Sequence, residues 1–362
     1  MDAQQECVLH VAADVATQTF DGTVHALAQI GLHQILLPLN PATPARAPQP
    51  LEIRSLQWPS ALLARIRTLA EELTALARER ALYAVHLHGA AACLLGARAL
   101  RGGALLKTRL LFSPQLADLT PWKSLLVGRL LKAKLAPLHD GMVVASPGEA
   151  YAVSRLLERS AEVLPPAVDS TFFQLQRQDG ARPAVLAGGS AAEGVDSVSR
   201  LAVLLNGREE RVPIAWLGAM SRAGRAQLEA AGVRVLDAED DAGRARLLAG
   251  ATAYLHVSHG NRDLHTVAQA MAAGVPCLVS DTLAHRAILR HGETGFICAS
   301  ALDFVEKLIM LLRDPPERER LGQAARAEAA RAFTQRHFET AVLRAYGFHH
   351  VTVLPRKSVN VA

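Results

Sequence analysis

The sequence predicts an α/β protein built from two doubly wound domains. Three observations carry that expectation: short apolar runs alternate with amphipathic stretches along the chain, half of the 362 residues are hydrophobic, and a proline-marked break falls near the middle. A chain of this length exceeds one ordinary core and can bury two. Strand–helix alternation predicts parallel sheets covered on both faces, because parallel neighbours need a crossover between them.

Residues 8–12 read as the first strand and 23–29 as the helix after it. Strands over 33–38 and 51–56 follow, then a long amphipathic helix over 60–80. Strand 83–88, helix 90–100, strand 108–112, helix 121–138, strand 141–146 and helix 147–159 complete a domain over 1–168. Pro165, Pro166 and the polar stretch beyond them mark a linker over 169–182. The second domain, 183–334, shows strands at 183–187, 213–217, 233–236, 253–257 and 276–279. Before its last expected strand, Asp263 is placed to cap a helix whose apolar positions Leu264, Val267, Ala268 and Met271 recur at helical spacing. Gly274 and Pro276 end it. Helices over 301–313 and 316–333 follow, then a last helix within 335–348 and a tail over 349–362.

The net charge of +5 is spread along the chain rather than blocked, so no nucleic-acid partner is expected. Cys7, Cys93, Cys277 and Cys298 lie far apart in apolar runs, as small buried residues in a reducing compartment do. The first ten residues lack a basic segment followed by an apolar one, and no apolar run reaches the roughly 18–20 residues that span a bilayer. These features predict a cytoplasmic protein, with peripheral attachment to the inner face of the cell membrane left open.

Open parallel sheets place ligand-contacting groups beyond the carboxyl ends of their strands. Asp281, just past strand 276–279, and His88 with Gly89, ending strand 83–88, are cleft candidates on that ground. His86 and His88 share one strand face, a spacing metal sites use. No further Cys, His or acid lies nearby at ligand spacing, so no metal is expected. The segment 121–138 carries Lys123, Arg129, Lys132 and Lys134 beside Leu125, Leu126, Leu130, Leu131 and Leu135. Two readings fit it: a surface helix with its leucines in the core, or a basic amphipathic helix for an anionic membrane surface.

The run AQAMAAGVPCLVSD, followed by HGETGF, resembles the C-terminal donor-site signature of family 4 glycosyltransferases through Ala270, Met271, Ala272, Gly274, Pro276, Gly292, Thr294 and Gly295. The segment EVLPPAVDSTFF is similar to that family's interdomain segment through Asp169 and Phe173. The resemblance implies the GT-B architecture, two Rossmann-like doubly wound domains facing across a cleft, with the last helix crossing back to the first domain. It also implies a UDP- or GDP-linked sugar as co-substrate and a glycan or lipid-linked acceptor, without a metal. Its donor-binding positions fall on Gly188, Gly189, Asn261, Arg262, His265, Thr266 and Gln269, and a cleft position after LFSP falls on Gln115.

Several of these positions depart from the family pattern. Asn261 and Gln269 stand where the family has two glutamates, and Gln115 where it has a histidine. Gly189 and Glu193 replace an arginine and a lysine that hold the diphosphate, and Ala287 replaces an acid. A nucleotide sugar asks for cations or helix N-termini at its phosphates and for acceptors at its hydroxyls. Arg262, His259 and His265 still gather positive charge near the helix that Asp263 opens. Two functions are therefore expected as rivals. One is hexose transfer through a modified pocket during bacterial surface polysaccharide assembly. The other is a non-catalytic scaffold that binds ligand or partners an active glycosyltransferase.

Overall fold

The structure, a computed structural model, describes residues 6–15, 18–40, 51–100, 108–115, 121–135, 140–175, 185–189, 191–206, 212–218, 220–237, 240–258 and 264–349. The chain divides into two compact units: residues 1–145, 149–165 and 336–362 form the first, and 146–148 with 166–335 form the second.

The first unit runs β1 (Cys7–Ala12), α1 (Gln18–Gln29), β2 (His33–Pro38), β3 (Glu52–Ile53), α2 (Leu62–Glu79), β4 (Leu82–His88), α3 (Gly89–Ala99), β5 (Arg109–Ser113), α4 (Pro121–Leu135), β6 (Asp140–Val144), α5 (Pro147–Leu157) and β7 (Glu162–Val163). Its seven strands lie in the order β3-β2-β1-β4-β5-β6-β7, all parallel. Every residue of β1 is buried, as expected for a central strand covered by helices on both faces.

The second unit holds α6 (Thr171–Gln174), β8 (Val185–Gly188), α7 (Ala191–Asn206), β9 (Ile214–Leu217), α8 (Arg222–Ala230), β10 (Arg234–Leu236), α9 (Asp241–Ala249), β11 (Ala253–His256), α10 (Leu264–Ala272), β12 (Cys277–Ser280), α11 (Leu283–Ile288), β13 (Gly295–Cys298), α12 (Ala301–Arg313) and α13 (Pro315–Ala332). Its parallel sheet has the order β10-β9-β8-β11-β12-β13, the same winding as the first with one strand fewer. The last helix, α14 (Gln335–Ala345), lies almost wholly within the first unit.

Some elements differ from the sequence expectation. The strand expected over 51–56 shrinks to β3, because beyond Ile53 the chain leaves the sheet edge and Trp58 turns back to donate to the Pro38 carbonyl. Helix α1 begins at Gln18, a turn earlier than its apolar spacing indicates. Two strands escape the sequence reading: β7, which has two residues, and β13, whose first residue Gly295 belongs to the HGETGF segment. The expected cap Asp263 lies outside the described residues.

A polar network inside the first unit joins α14 to the sheet. His10 on β1 and His86 and His88 on β4 are all buried. The Gln34 amide donates to the Val24 carbonyl, so its oxygen accepts from His10 Nε2 at 3.1 Å and leaves His10 Nδ1 as an acceptor. His88 Nε2, 3.0 Å away, must then donate to that Nδ1. Ser113 Oγ donates to the Val143 carbonyl at 2.6 Å and accepts from His86 Nε2 at 2.8 Å. The Tyr346 hydroxyl, just past α14, donates to His86 Nδ1 at 2.6 Å. One set of neutral tautomers thus satisfies all of these contacts. Burial drives the three histidines well towards the neutral form, His10 to about 4.

The histidines' folded pKa values lie below the unfolded value, so their stabilising contribution is full above about pH 6.5 and is lost as pH falls towards 4, with His10 alone accounting for roughly 3 kcal/mol at full titration. Urea unfolding of the first unit between pH 7.5 and 4.5 should show that loss, and His10→Gln should flatten it. In the second unit, Gly295 has φ +153°, and a Cβ there would sit 2.5 Å from the Cys277 carbonyl oxygen on the neighbouring strand. Gly295→Ala should destabilise that unit by about 2–3 kcal/mol, read as a lower thermal midpoint.

Candidate functional site

The candidate ligand-contacting residues lie at the carboxyl ends of the parallel strands, where side chains leave the sheet. In the second unit β8 ends at Gly188, paired in register with His256 at the end of β11. A side chain at Gly188 would meet the Tyr254 hydroxyl at 2.4 Å, and one at Gly189 would meet the Val257 carbonyl at 3.3 Å and the His256 ring at 3.5 Å. Gly189 also has φ +143°, where side-chain-bearing residues are strained. These glycines leave the backbone of the β8–α7 turn bare beside His256. Glu193 lies on α7, but its side chain is outside the described residues.

Helix α10 presents His265, Thr266 and Gln269 within two turns. Gln269 is fully buried; its Nε2 donates to His265 Nε2 at 2.9 Å and its Oε1 accepts from Arg244 Nη1 at 3.4 Å. Arg244 comes from α9, whose start is capped by Asp240 accepting from the Gly243 N–H. Sequence reasoning missed Arg244; nothing in its local pattern marks it, because the partner that gives it meaning lies 25 residues away. Burial and the adjacent guanidinium push His265 down to about 4. Thr266 Oγ1 lies 3.5 Å from His256 Nδ1. His285 Nδ1 donates to the Ser280 carbonyl at 2.7 Å.

Three side-chain nitrogens here are enclosed with no partner: Arg244 Nε, His256 Nε2 and His285 Nε2. Buried polar groups are rarely left so. Asp281, the cleft candidate after β12, is paired side-on with Arg286 at 2.5 and 2.7 Å, which holds its carboxyl below the usual range. Asn261, Arg262 and His259 lie outside the described residues.

In the first unit, His88 and Gln115 come together at the ends of β4 and β5. Gly89 has φ +87°, and the Gln115 Oε1 lies 3.2 Å from the place a Cβ on Gly89 would take. Gln115 itself has φ 52°, a left-handed conformation uncommon for a residue with a side chain. His10, His86 and His88 are the only group among the described residues that brings three metal-ligating atoms within 4.8 Å. The rings of His86 and His88 are tilted by 35° with centroids 3.8 Å apart, whereas two imidazoles on one tetrahedral ion hold theirs about 5 Å apart. His10, 78 residues before His88 in sequence, joins the pair that sequence spacing left alone, and each nitrogen assigned a proton already has an acceptor.

Helix α4 divides its leucines between a docked face and an exposed one. Leu131 is fully buried and Gly128 packs on Leu156, so one face is docked on the unit. Leu125, Leu126 and Leu130 are 47%, 53% and 46% exposed, alongside exposed Lys123, Arg129 and Lys132; Lys134 is half-buried. Lys132 pairs with Glu158. No helix among the described residues is long and apolar enough to cross a membrane.

Residues 232–328, from the end of the β9–β10 crossover to α13, match the family described as glycosyl transferases group 1. A phosphatidyl-myo-inositol mannosyltransferase of Mycobacterium leprae is 35% identical over 117 residues, a match spanning 32% of this chain and 31% of that protein. Sucrose-phosphate synthase from Thermosynechococcus elongatus superposes with a TM-score of 0.73 at 16% identity, covering 95% of this chain and 98% of that one. Anabaena HepE, solved in complex with UDP and glucose, gives 0.69 at 13% identity, covering 94% and 98%. Both units are Rossmann-like parallel sheets of the GT-B fold, and residues 232–328 of the second are similar to glycosyl transferases group 1.

Proposed function

We propose that this protein serves cell-surface glycan or glycolipid assembly as a non-catalytic GT-B scaffold, binding a ligand of that pathway and partnering an active glycosyltransferase. The observation that carries the reading is the fate of Gln269. Its amide oxygen is taken by Arg244 and its N–H by His265, so the position has no carboxylate to accept from a sugar or ribose hydroxyl. The missing Arg and Lys at Gly189 and Glu193 point the same way, because a diphosphate bound without cations is left with unpaired charge.

A second reading, hexose transfer through a rebuilt pocket, draws on Arg244 as a cation close to the replaced glutamate. In that reading Asn261 and Gln269 contact sugar and ribose, and Arg262 holds the phosphates of a UDP- or GDP-linked donor. Titration with UDP, GDP and their common sugars, followed by a transfer assay on lipid-linked and glycan acceptors, separates the two. The scaffold reading expects no hexose transfer, alone or after Asn261→Glu with Gln269→Glu. Turnover by the unaltered protein that Arg262→Ala abolishes would establish the second reading instead.

The exposed leucines of α4 support a peripheral site on an anionic bilayer. Each cation near such a surface contributes about 1 kcal/mol, so Lys123, Arg129 and Lys134 together give only weak binding, and the leucines must supply the rest by entering the headgroup boundary. Co-flotation with phosphatidylglycerol-containing vesicles should fall at least tenfold in Leu126→Glu/Leu130→Glu, and neutral vesicles should bind weakly. Equal flotation of the variant would remove the membrane role.

A further inference from the structure

The end of the first unit's sheet opposite His88 and Gln115 holds a cavity of about 340 Å³ lined by Glu6, Ala81, Leu82, Tyr83 and Arg109. Glu6 precedes β1, Tyr83 lies on β4 and Arg109 opens β5, so three adjacent strands bring these side chains together at their amino ends. The β1–β4 register shifts here: Cys7 pairs with Leu82 and Val8 with Ala84, which leaves Tyr83 as the extra residue of a bulge. Its hydroxyl donates to the Tyr346 carbonyl at 2.7 Å, and its ring stacks on Phe348 with centroids 4.8 Å apart. The Arg109 guanidinium rests on Gly347, which has φ +92° and where a Cβ would lie 2.6 Å from Nη1. Backbone packing, rather than an acid, holds that guanidinium in place.

Arg109 and Glu6 act on the same phenol from opposite sign: burial raises the Tyr83 pKa, Arg109 lowers it and Glu6 raises it. Among the described residues, neither charge makes an ion pair with the other or with a third group. A guanidinium and a carboxylate that line one cavity without joining leave space between them for a ligand that meets both. Glu6 would repel a simple anion and Arg109 a simple cation, whereas a molecule with an oxyanion at one end and an ammonium at the other pairs with each. Tyr83 helps the second end, because its O–H is spent on Tyr346 and its oxygen can still accept. The volume is at the small end of the roughly 300–1,000 Å³ of ligand pockets, which limits the occupant to a few carbons. We propose that this cavity binds a small zwitterion, an α-amino acid or an aminoalkyl phosphate, with Arg109 taking the oxyanion and Glu6 the ammonium. The site is remote from the strand-end candidates of either unit and stands whichever reading of function holds.

Ligand-observed NMR titration of the whole chain at low salt tests the site with two zwitterions, L-alanine and phosphoethanolamine, and two single-ended probes, inorganic phosphate and ethanolamine. At least one zwitterion should bind saturably, and the ratio of their affinities identifies the preferred oxyanion. The single-ended probes should bind about tenfold more weakly or not at all. Arg109→Met and Glu6→Gln should each weaken zwitterion binding about tenfold, and Arg109→Lys should recover part of the loss. Both side chains are exposed and outside every ion pair of the described residues, so the thermal midpoint should not move. Phosphate bound as tightly as the zwitterions, or zwitterion binding that Glu6→Gln leaves unchanged, would reduce the site to a cationic patch and overturn the proposal. Affinity unchanged in Arg109→Met, or no saturable binding of either zwitterion, would overturn it as well.

Discussion

A polar group taken out of water must find a partner, and both sheets bring histidines to the buried carboxyl ends of their central strands. The two units meet that constraint differently. Around His10, His86 and His88 every nitrogen assigned a proton has an acceptor, and the partners come from β2, β5 and the chain just past α14. That closure binds the C-terminal segment into the first unit: Tyr83 also donates to the Tyr346 carbonyl and stacks on Phe348. Around His256 and His285 the closure is missing, and with Arg244 they leave three enclosed nitrogens unanswered. Enclosed atoms without a partner occur in both units, Arg65 Nε in the first among them; what distinguishes the second is that His256 and His285, with ring centroids 5.1 Å apart, both leave Nε2 unpartnered.

Much of the architecture was legible because burial writes itself into sequence as periodicity. Strands β1, β8, β11 and β12 are continuous apolar runs, since helices cover both faces of a parallel sheet and no polar alternation is needed. Helix α10 could be read from Leu264, Val267, Ala268 and Met271, and all four are buried. Edge elements were harder: β3 and β7 have two residues each, too few for a period to declare itself. The start of α1 was misplaced because Thr19 and Asp21 are polar and look like loop, although Phe20 beside them packs into the core.

The site was legible only in part, for a different physical reason. Gln269 and Gln115 could be singled out from the family resemblance, and His88 from its place at a strand end. Their partners could not, because hydrogen-bond polarity is decided by groups far away in the chain. Arg244 is one of many arginines in the sequence and looks like a solvated helix residue. Only its contact with Gln269 distinguishes it. Asp281 shows the converse, since a carboxylate at a strand end looks available in sequence and is engaged by Arg286 five residues on.

The replacement of glutamate by glutamine on α10 alters more than one hydrogen bond. A carboxylate beside Arg244 would form an ion pair, hold the local charge near zero and still have lone pairs to offer a hydroxyl. The amide has one oxygen, one of whose lone pairs Arg244 uses, and two N–H groups, one of which fixes the His265 tautomer. The change therefore leaves fewer acceptors than a carboxylate would and gives Arg244 a neutral partner in place of an anionic one.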